Sequence, residues 1–198
     1  YFGYQGKVIP IHPEEKQILG LETYSSLSKI PYKVDYAFIA VKPEIVHEII
    51  RSGKENVRFA QIMTSGFENL EDGESIKSKI LETAKSGLTR VLGPNCIGTF
   101  SNRGKITFTK IKKTVLGSVS IISQSGGLAI DVLRRGSIEG IKYNSIVSIG
   151  NSIDIGANEL LRYYLDDINT KVIGIYIESI HDGRTFYKLL RNRKTLKP

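Results

Sequence analysis

Four short stretches combine residue types that can hold a ligand. They are Lys42-Pro43-Glu44, Thr64-Ser65-Gly66-Phe67, Gly93-Pro94-Asn95-Cys96-Ile97-Gly98 and Gln124-Ser125-Gly126-Gly127. Each follows a β-branched or apolar run, so each falls where a strand hands over to a turn. Ser125 is placed to cap a helix carrying Leu128 and Val132, with Gly126 and Gly127 leaving the first helical N–H groups sterically open. Open N–H groups at the positive end of a helix dipole suit phosphate. The same residues also fit a capped helix whose glycines pack against a strand. The Gly-Lys-Ser/Thr ending of a Walker A loop is absent, and Gln-Ser-Gly-Gly lacks the Gly-x-Ser-x-Gly spacing of a nucleophile elbow. In Thr64-Ser65-Gly66 the glycine would let a ligand approach the backbone.

These turns need strands and helices to bring them together. The apolar runs predict strands over 7–11, 35–41, 57–63, 89–92, 119–123, 145–149 and 171–178. Between them, Ile45 with Ile49 and Val46 with Ile50 predict one helix, Ile76, Ile80 and Ala84 a second, and Leu128 with Val132 a third. Alternating strands and helices specify an α/β fold with parallel sheets covered on both faces. Pro43 suits a first helical turn, and Gly53 and Gly87 mark helix ends. In such sheets ligands bind at the carboxyl ends of the strands, so four permissive turns at one edge predict a ligand crevice. A polar, basic stretch around 103–117 predicts a boundary near Thr114, dividing the chain into residues 1–113 and 114–198.

Composition narrows the class. The 198 residues carry 28 Lys+Arg against 20 Asp+Glu, a net charge of +8, and are 40% hydrophobic, which excludes disordered and collagen-like chains. A single cysteine, Cys96, excludes an internal disulfide and suits a reducing, cytoplasmic location. No apolar run reaches the roughly 18 residues that span a bilayer, and no leader opens the chain. Met63 is the only methionine, so a fragment or processed product is expected. The basic clusters (Arg103, Lys105, Lys110, Lys112 and Lys113; Arg191, Arg193, Lys194 and Lys197) carry no interleaved aromatics. They read as a solvated linker and tail rather than a nucleic-acid surface, whose affinity would fall steeply with salt. No metal site is expected.

Gly93-Pro94-Asn95-Cys96-Ile97-Gly98 followed by Ile122-Ser123-Gln124-Ser125-Gly126-Gly127-Leu128 resembles the NDP-forming acyl-CoA synthetases, the ADP-forming acetyl-CoA synthetase type related to the succinyl-CoA synthetase α subunit. Lys7-Val8-Ile9-Pro10-Ile11, Leu19-Gly20-Leu21, Val147-Ser148-Ile149-Gly150-Asn151 and Tyr176-Ile177-Glu178 before Asp182-Gly183-Arg184 extend the resemblance along the chain. It implies a CoA-binding Rossmann-like domain lacking its first strand, then a succinyl-CoA ligase-like flavodoxin-type domain. It also implies the interconversion of acyl-CoA, NDP and phosphate with acid, CoA and NTP, through an acyl phosphate and a phosphohistidine.

By that resemblance Lys42, Pro43, Thr64, Ser65 and Gly66 line the CoA crevice, and Asn95 and Cys96 lie near its thiol end. Ser125, Gly126 and Gly127 form the helix N-terminus that holds the phosphoryl group, and Glu178 orients the histidine. A carboxylate partner would fix the imidazole tautomer and raise the nucleophilicity of its free nitrogen. Other readings of the same residues are a buried, packing Cys96, a solvated Lys42, and Glu178 paired with Arg184.

The chain departs from the family at two places. His12-Pro13-Glu14 stands where the family has Asn-Pro-Lys, and Glu14 would repel a phosphate, although Lys16 lies close by in sequence. The family's histidine falls beyond Pro198, and His12, His47 and His181 sit in other contexts. The resemblance therefore implies an ATP-grasp domain or β-type subunit as partner, bringing ATP or ADP with Mg2+. CoA and a small carboxylic acid would be the ligands, an oligomer is expected, and the chain alone should be inactive. The alternative is a CoA-binding regulatory module of the kind fused to protein acetyltransferases.

Overall fold

The computed structural model describes residues 2–111, 115–191 and 197–198. The expected boundary at Thr114, together with Lys112, Lys113, Arg193 and Lys194 of the basic clusters, lies outside the described residues. The fold is α/β, as the alternating pattern predicts. A small antiparallel hairpin, β1 (Gln17–Ile18) and β2 (Leu21–Glu22), precedes β3 (Val34–Ile39), α1 (Pro43–Gly53), β4 (Val57–Ile62), α2 (Gly73–Lys85) and β5 (Arg90–Leu92). Strands β3, β4 and β5 form a parallel sheet in that order. There follow β6 (Thr99–Ser101), β7 (Val119–Ser123), α3 (Gly126–Ile138), β8 (Tyr143–Ser148), α4 (Ala157–Asp166), β9 (Val172–Tyr176) and α5 (Gly183–Arg191). The second sheet runs β6-β8-β7-β9, parallel except for β6, which pairs antiparallel with β8 at one edge.

Six of the seven predicted strands form within a residue or two of their expected limits. The seventh, over 7–11, does not. Pro10 has no N–H to give a ladder, and the backbone pairing of the segment among the described residues is an isolated bridge of Ile11 to Tyr24 with the bonds Tyr24 N–H to Pro10 O and His12 N–H to Tyr24 O. Helix α1 starts on Pro43 and buries Val46 and Ile50, and α2 buries Ile76, Ile80 and Ala84 as their spacing predicts. Helix α3 forms where expected, but its buried stripe is Ala129, Leu133 and Gly136, one position round from Leu128 and Val132. The rotation follows from Gly136, where a Cβ would lie 1.9 Å from the Tyr143 hydroxyl. That bare backbone admits the Tyr143 ring, whose hydroxyl donates to Val132 O at 2.8 Å.

Gly53 and Gly87 do sit at helix ends, but neither adopts a left-handed conformation. Close approach requires them: a Cβ would come within 2.8 Å of Leu27 Cδ1 at Gly53 and 2.5 Å of Lys54 O at Gly87. The basic clusters are more engaged than a solvated linker and tail. Arg103 donates to Asn169, and Lys105 lies 5.8 Å from the Phe2 ring centroid. The Lys197 ammonium donates to the carbonyls of Tyr164, Leu165 and Asp167 at 2.7–2.8 Å, capping the C-terminal end of α4.

Among the described residues the buried hydrophobic side chains form three clusters, and two of them, including the one that joins Phe100 to Ala129, Leu133 and Ile146, draw on both sides of the sequence boundary. One cluster lies between the first sheet and helices α1 and α2, and includes Val46, Ile50, Ala60, Ile62, Ile80 and Val91. A second joins Leu92 and Cys96 of the first half to Ile122, Val147, Ile149, Ile155 and Leu161 of the second. Strand β6, from the first half by sequence, belongs to the second sheet by pairing. Among the described residues no helix is long and apolar enough to cross a membrane.

Candidate functional site

The turns after β3, β4 and β5 are tied together at one buried residue, Thr64. The Thr64 hydroxyl donates to Val41 O at 2.7 Å and accepts from Val41 N–H at 3.3 Å, so it fixes the approach to Lys42 and Pro43. The backbone of the same residue accepts from Asn95 N–H at 2.9 Å. Three turns from distant parts of the chain therefore share one edge, as parallel strands with a common direction require.

Within this cluster the predicted residues fall into two layers. Lys42, Ser65 and Asn95 are exposed at the rim, while Thr64 and Cys96 are buried beneath it. Gly66 has φ of 86° and begins a short 3-10 turn over Phe67–Asn69, with only the Asn69 amide nitrogen, 3.7 Å away, near the position of a Cβ. Its backbone is thus open to a ligand. Asn95 itself is left-handed, with φ of 56°. The Cys96 thiol points inward, with Sγ 3.5 Å from Leu92 O and 3.6 Å from Ile62 O. Burial pushes its pKa up to about 12, so it is a protonated, packing thiol at neutral pH. Behind it Gln61 donates to Cys96 O at 3.3 Å and accepts from the Tyr36 hydroxyl at 2.6 Å, and burial raises the Tyr36 pKa.

The fourth turn stands beside the third. Ser125 caps α3 as its position predicts, its hydroxyl accepting from Leu128 N–H at 3.2 Å. A Cβ on Gly126 would meet Ile97 Cγ2 at 2.9 Å, so the residue after Cys96 lies directly against the start of α3. Gly127, by contrast, is exposed, with only the Ser125 hydroxyl as near as 4.0 Å. The two glycines of this turn therefore differ: Gly126 packs, and Gly127 leaves the helix end open.

Gln124 connects this turn to the last predicted residue. Its side-chain oxygen accepts from Glu178 N–H at 2.7 Å and Ser179 N–H at 3.1 Å, holding the loop after β9 next to Ser125. The Glu178 side chain is exposed, and among the described residues it makes no ion pair with Arg184. Sequence reasoning placed Gln124 in a turn but gave it no role, because the pairing partner lies 54 residues away.

At the His12 corner the imidazole Nδ1 accepts from the backbone N–H groups of Glu14 and Glu15, at 3.3 and 2.9 Å. The ring fills the place of an Asn side chain in an Asx-type turn, and His12 is accordingly a structural residue. His47 bonds the Thr83 hydroxyl at 3.0 Å, bridging α1 to α2. A separate cleft of about 620 Å³ opens between α2 and the carboxyl edge of the second sheet, lined among others by Lys77, Asn151, Asn158, Ser179 and His181. None of the predicted site residues lines it.

Residues 1–102 match a family described as a CoA binding domain, and residues 116–198 match the succinyl-CoA ligase like flavodoxin domain. Over 98% of its length the chain is 34% identical to the alpha subunit of acetate–CoA ligase [ADP-forming] II of Pyrococcus furiosus, covering 43% of that protein. It is 36% identical to acetate–CoA ligase [ADP-forming] of Methanocaldococcus jannaschii, covering 98% of this chain and 28% of the relative. Among solved structures, the apo form of the dinucleotide forming acetyl-coenzyme A synthetase 1 of Ca. Korarchaeum cryptofilum superposes with a TM-score of 0.90 at 37% identity, covering 100% of this chain and 44% of that one. The chain thus spans less than half the length of these relatives.

Proposed function

The chain belongs to the NDP-forming acyl-CoA synthetase family, and from that premise we propose that it forms the CoA-binding and phosphoryl-holding portion of an acid–CoA ligase. Residues 1–113 carry CoA. Lys42, Pro43, Thr64, Ser65 and Gly66 line its crevice, with Asn95 and Cys96 toward the thiol end. Residues 114–198 present the α3 N-terminus at Ser125, Gly126 and Gly127 to a phosphohistidine supplied from outside these 198 residues. Glu178 orients that histidine. An ATP-grasp domain or subunit brings ATP or ADP with Mg2+, and a small carboxylic acid is the source of the acyl group in one direction and the product in the other.

One observation carries this reading: Gly126 packs on Ile97, immediately after Cys96, so the thiol-end turn abuts the open start of α3. A thiol arriving over Asn95 would meet an acyl phosphate held by the N–H groups around Gly127. Those donors stabilise the phosphate charge through fixed dipoles. The exposed rim of Lys42, Ser65 and Asn95 fits a long, polar ligand. Thr64 and Cys96 serve from below, the first by knitting the turns and the second by packing. Because Cys96 is held protonated, it takes no covalent part; the reacting thiolate is that of CoA.

Calorimetric titration of this chain with CoA, repeated with dephospho-CoA, tests the reading. Saturable binding with a stoichiometry near one supports it, and weaker binding of dephospho-CoA would implicate the rim lysine. A well-folded chain that binds neither would sink it.

A further inference from the structure

The crevice turns, tied to one another at Thr64, are also held from the second half of the chain. Strand β5 is the edge of the first sheet, and its free side is covered by residues 151–155 from the second half. Ile155 N–H donates to Val91 O at 3.0 Å, Ile153 N–H to Gly93 O at 3.1 Å, and Asn151 N–H to Pro94 O at 2.9 Å. The contact at Gly150 is close enough that a Cβ would fall 2.2 Å from Pro94 O. The seam runs directly into Asn95, whose N–H reaches Thr64 and through it Val41.

One charged cluster pins the outer end of this seam. Arg90 forks onto Asp154, with Nε to Oδ2 and Nη2 to Oδ1 both at 3.0 Å. It also forks onto Glu159 in the first turn of α4, at 2.9 and 2.8 Å. The Asp154 carboxylate additionally accepts from Val91 N–H at 2.7 Å, and its side chain is only 11% exposed, against 49% for Glu159. Paired carboxylates on both sides raise the Arg90 pKa further. An exposed pair of this kind contributes little, whereas breaking a buried one leaves a charge without its partner. Arg90 itself is 42% exposed, so the weight of the cluster falls on the Asp154 end, where the nearly buried carboxylate also holds Val91 N–H.

We propose that Arg90 and Asp154 are positioning residues: they lock the 151–155 segment onto β5 and thereby set the Gly93–Cys96 turn against the start of α3. This inference rests on the CoA reading for its functional consequence, and its structural half stands independently. A purely stabilising ion pair would affect every deeply protected amide alike. A positioning clamp acts locally, loosening the seam and the crevice turn while the centre of the second sheet keeps its protection.

Native-state hydrogen exchange on Asp154→Asn separates the two. The substitution keeps the shape and can still accept from Val91 N–H, but it turns an amide NH2 toward Arg90. The expected result is a roughly tenfold or greater loss of protection at the Asn151, Ile153 and Asn95 amides, with Ile121 and Ile122 of β7 unchanged. CoA affinity should fall about tenfold in the same variant. Arg90→Lys, which keeps the charge without the fork, should fall between wild type and Arg90→Gln in both measurements. A uniform loss of protection, or none, overturns the clamp. A local loss with unchanged CoA affinity overturns its role in positioning the crevice. If wild type itself binds no CoA, the CoA reading fails while the exchange pattern still decides the clamp. Should Asp154→Asn not fold, Arg90→Lys carries the same comparison.

Discussion

The turn at 93–96 and the turn at 124–127 look alike in sequence, each a strand end punctuated by glycine and small polar residues, yet the fold uses them in opposite ways. At Gly93, φ is 102° and a Cβ would lie 2.6 Å from Ile62 O and 3.0 Å from Cys96 Sγ. The glycine there is consumed by packing, and the cysteine beside it is sealed. At Gly127 nothing approaches closer than 4.0 Å, and the helix end faces solvent. Small residues thus mark either a place where the protein has filled the space or one where it has left the space for something else. Only the second can hold a ligand through its own backbone; the first shapes the wall beside it.

The largest effect that tests this contrast comes from placing one methyl group in each turn. Gly93→Ala must strain a left-handed backbone and collide with a carbonyl oxygen, at a cost of about 3 kcal/mol. Gly127→Ala should change stability by no more than about 1 kcal/mol, in the stabilising direction, because alanine is the better helix former. Urea unfolding of both variants checks the pair, and equal losses would break the comparison.

Next comes the thiol. With its pKa pushed up to about 12 by burial, Cys96 should resist a disulfide reagent at pH 8 in the folded chain and react promptly in urea. The unfolded thiol ionises near pH ~8.5. The stabilising contribution of the neutral buried form is therefore complete below that pH and is lost as pH rises toward about 12. Cys96→Ala should keep CoA affinity within about twofold if the residue only packs. Rapid labelling of the native thiol, or loss of CoA binding in the alanine variant, would return the residue to the chemistry.

A smaller effect belongs to the open turn. Ser125→Ala removes the acceptor for Leu128 N–H and should cost about 1 kcal/mol of stability, while Ser125→Gly costs only a few tenths. Chemical denaturation of the two variants measures the difference. A neutral Ser125→Ala would mean that the cap is not what orders this helix end.

Much of the architecture was readable because it depends on neighbours in sequence. The i, i+4 spacing of Ile76, Ile80 and Ala84 predicted both the helix and its buried face, and Pro43 marked the first residue of α1. The failures occur where a distant partner decides. Residues 7–11 have strand composition but find only one bridge. The α3 face turned by one residue because Tyr143 needed the room at Gly136. Strand β6 went unpredicted because three residues carry too little periodicity, and it forms by pairing with β8 across 44 or more positions. Helices α4 and α5 form outside the segments whose spacing predicts a helix, although Leu161 and Leu165 stand four apart on the buried face of α4.

The candidate site divides in the same way. By itself the sequence determined which strand ends carry turns that a ligand could approach, that Ser125 caps a helix, and which family the motifs resemble, since caps, turns and periodicities are local. Only the tertiary structure decided which of those turns stay open. Thr64, Cys96 and Gly126 face inward because residues far along the chain close over them, and Arg90 acquires its role from carboxylates 64 and 69 positions away. Steric closure and charge pairing depend on distances in space, which the order of residues along the chain does not contain.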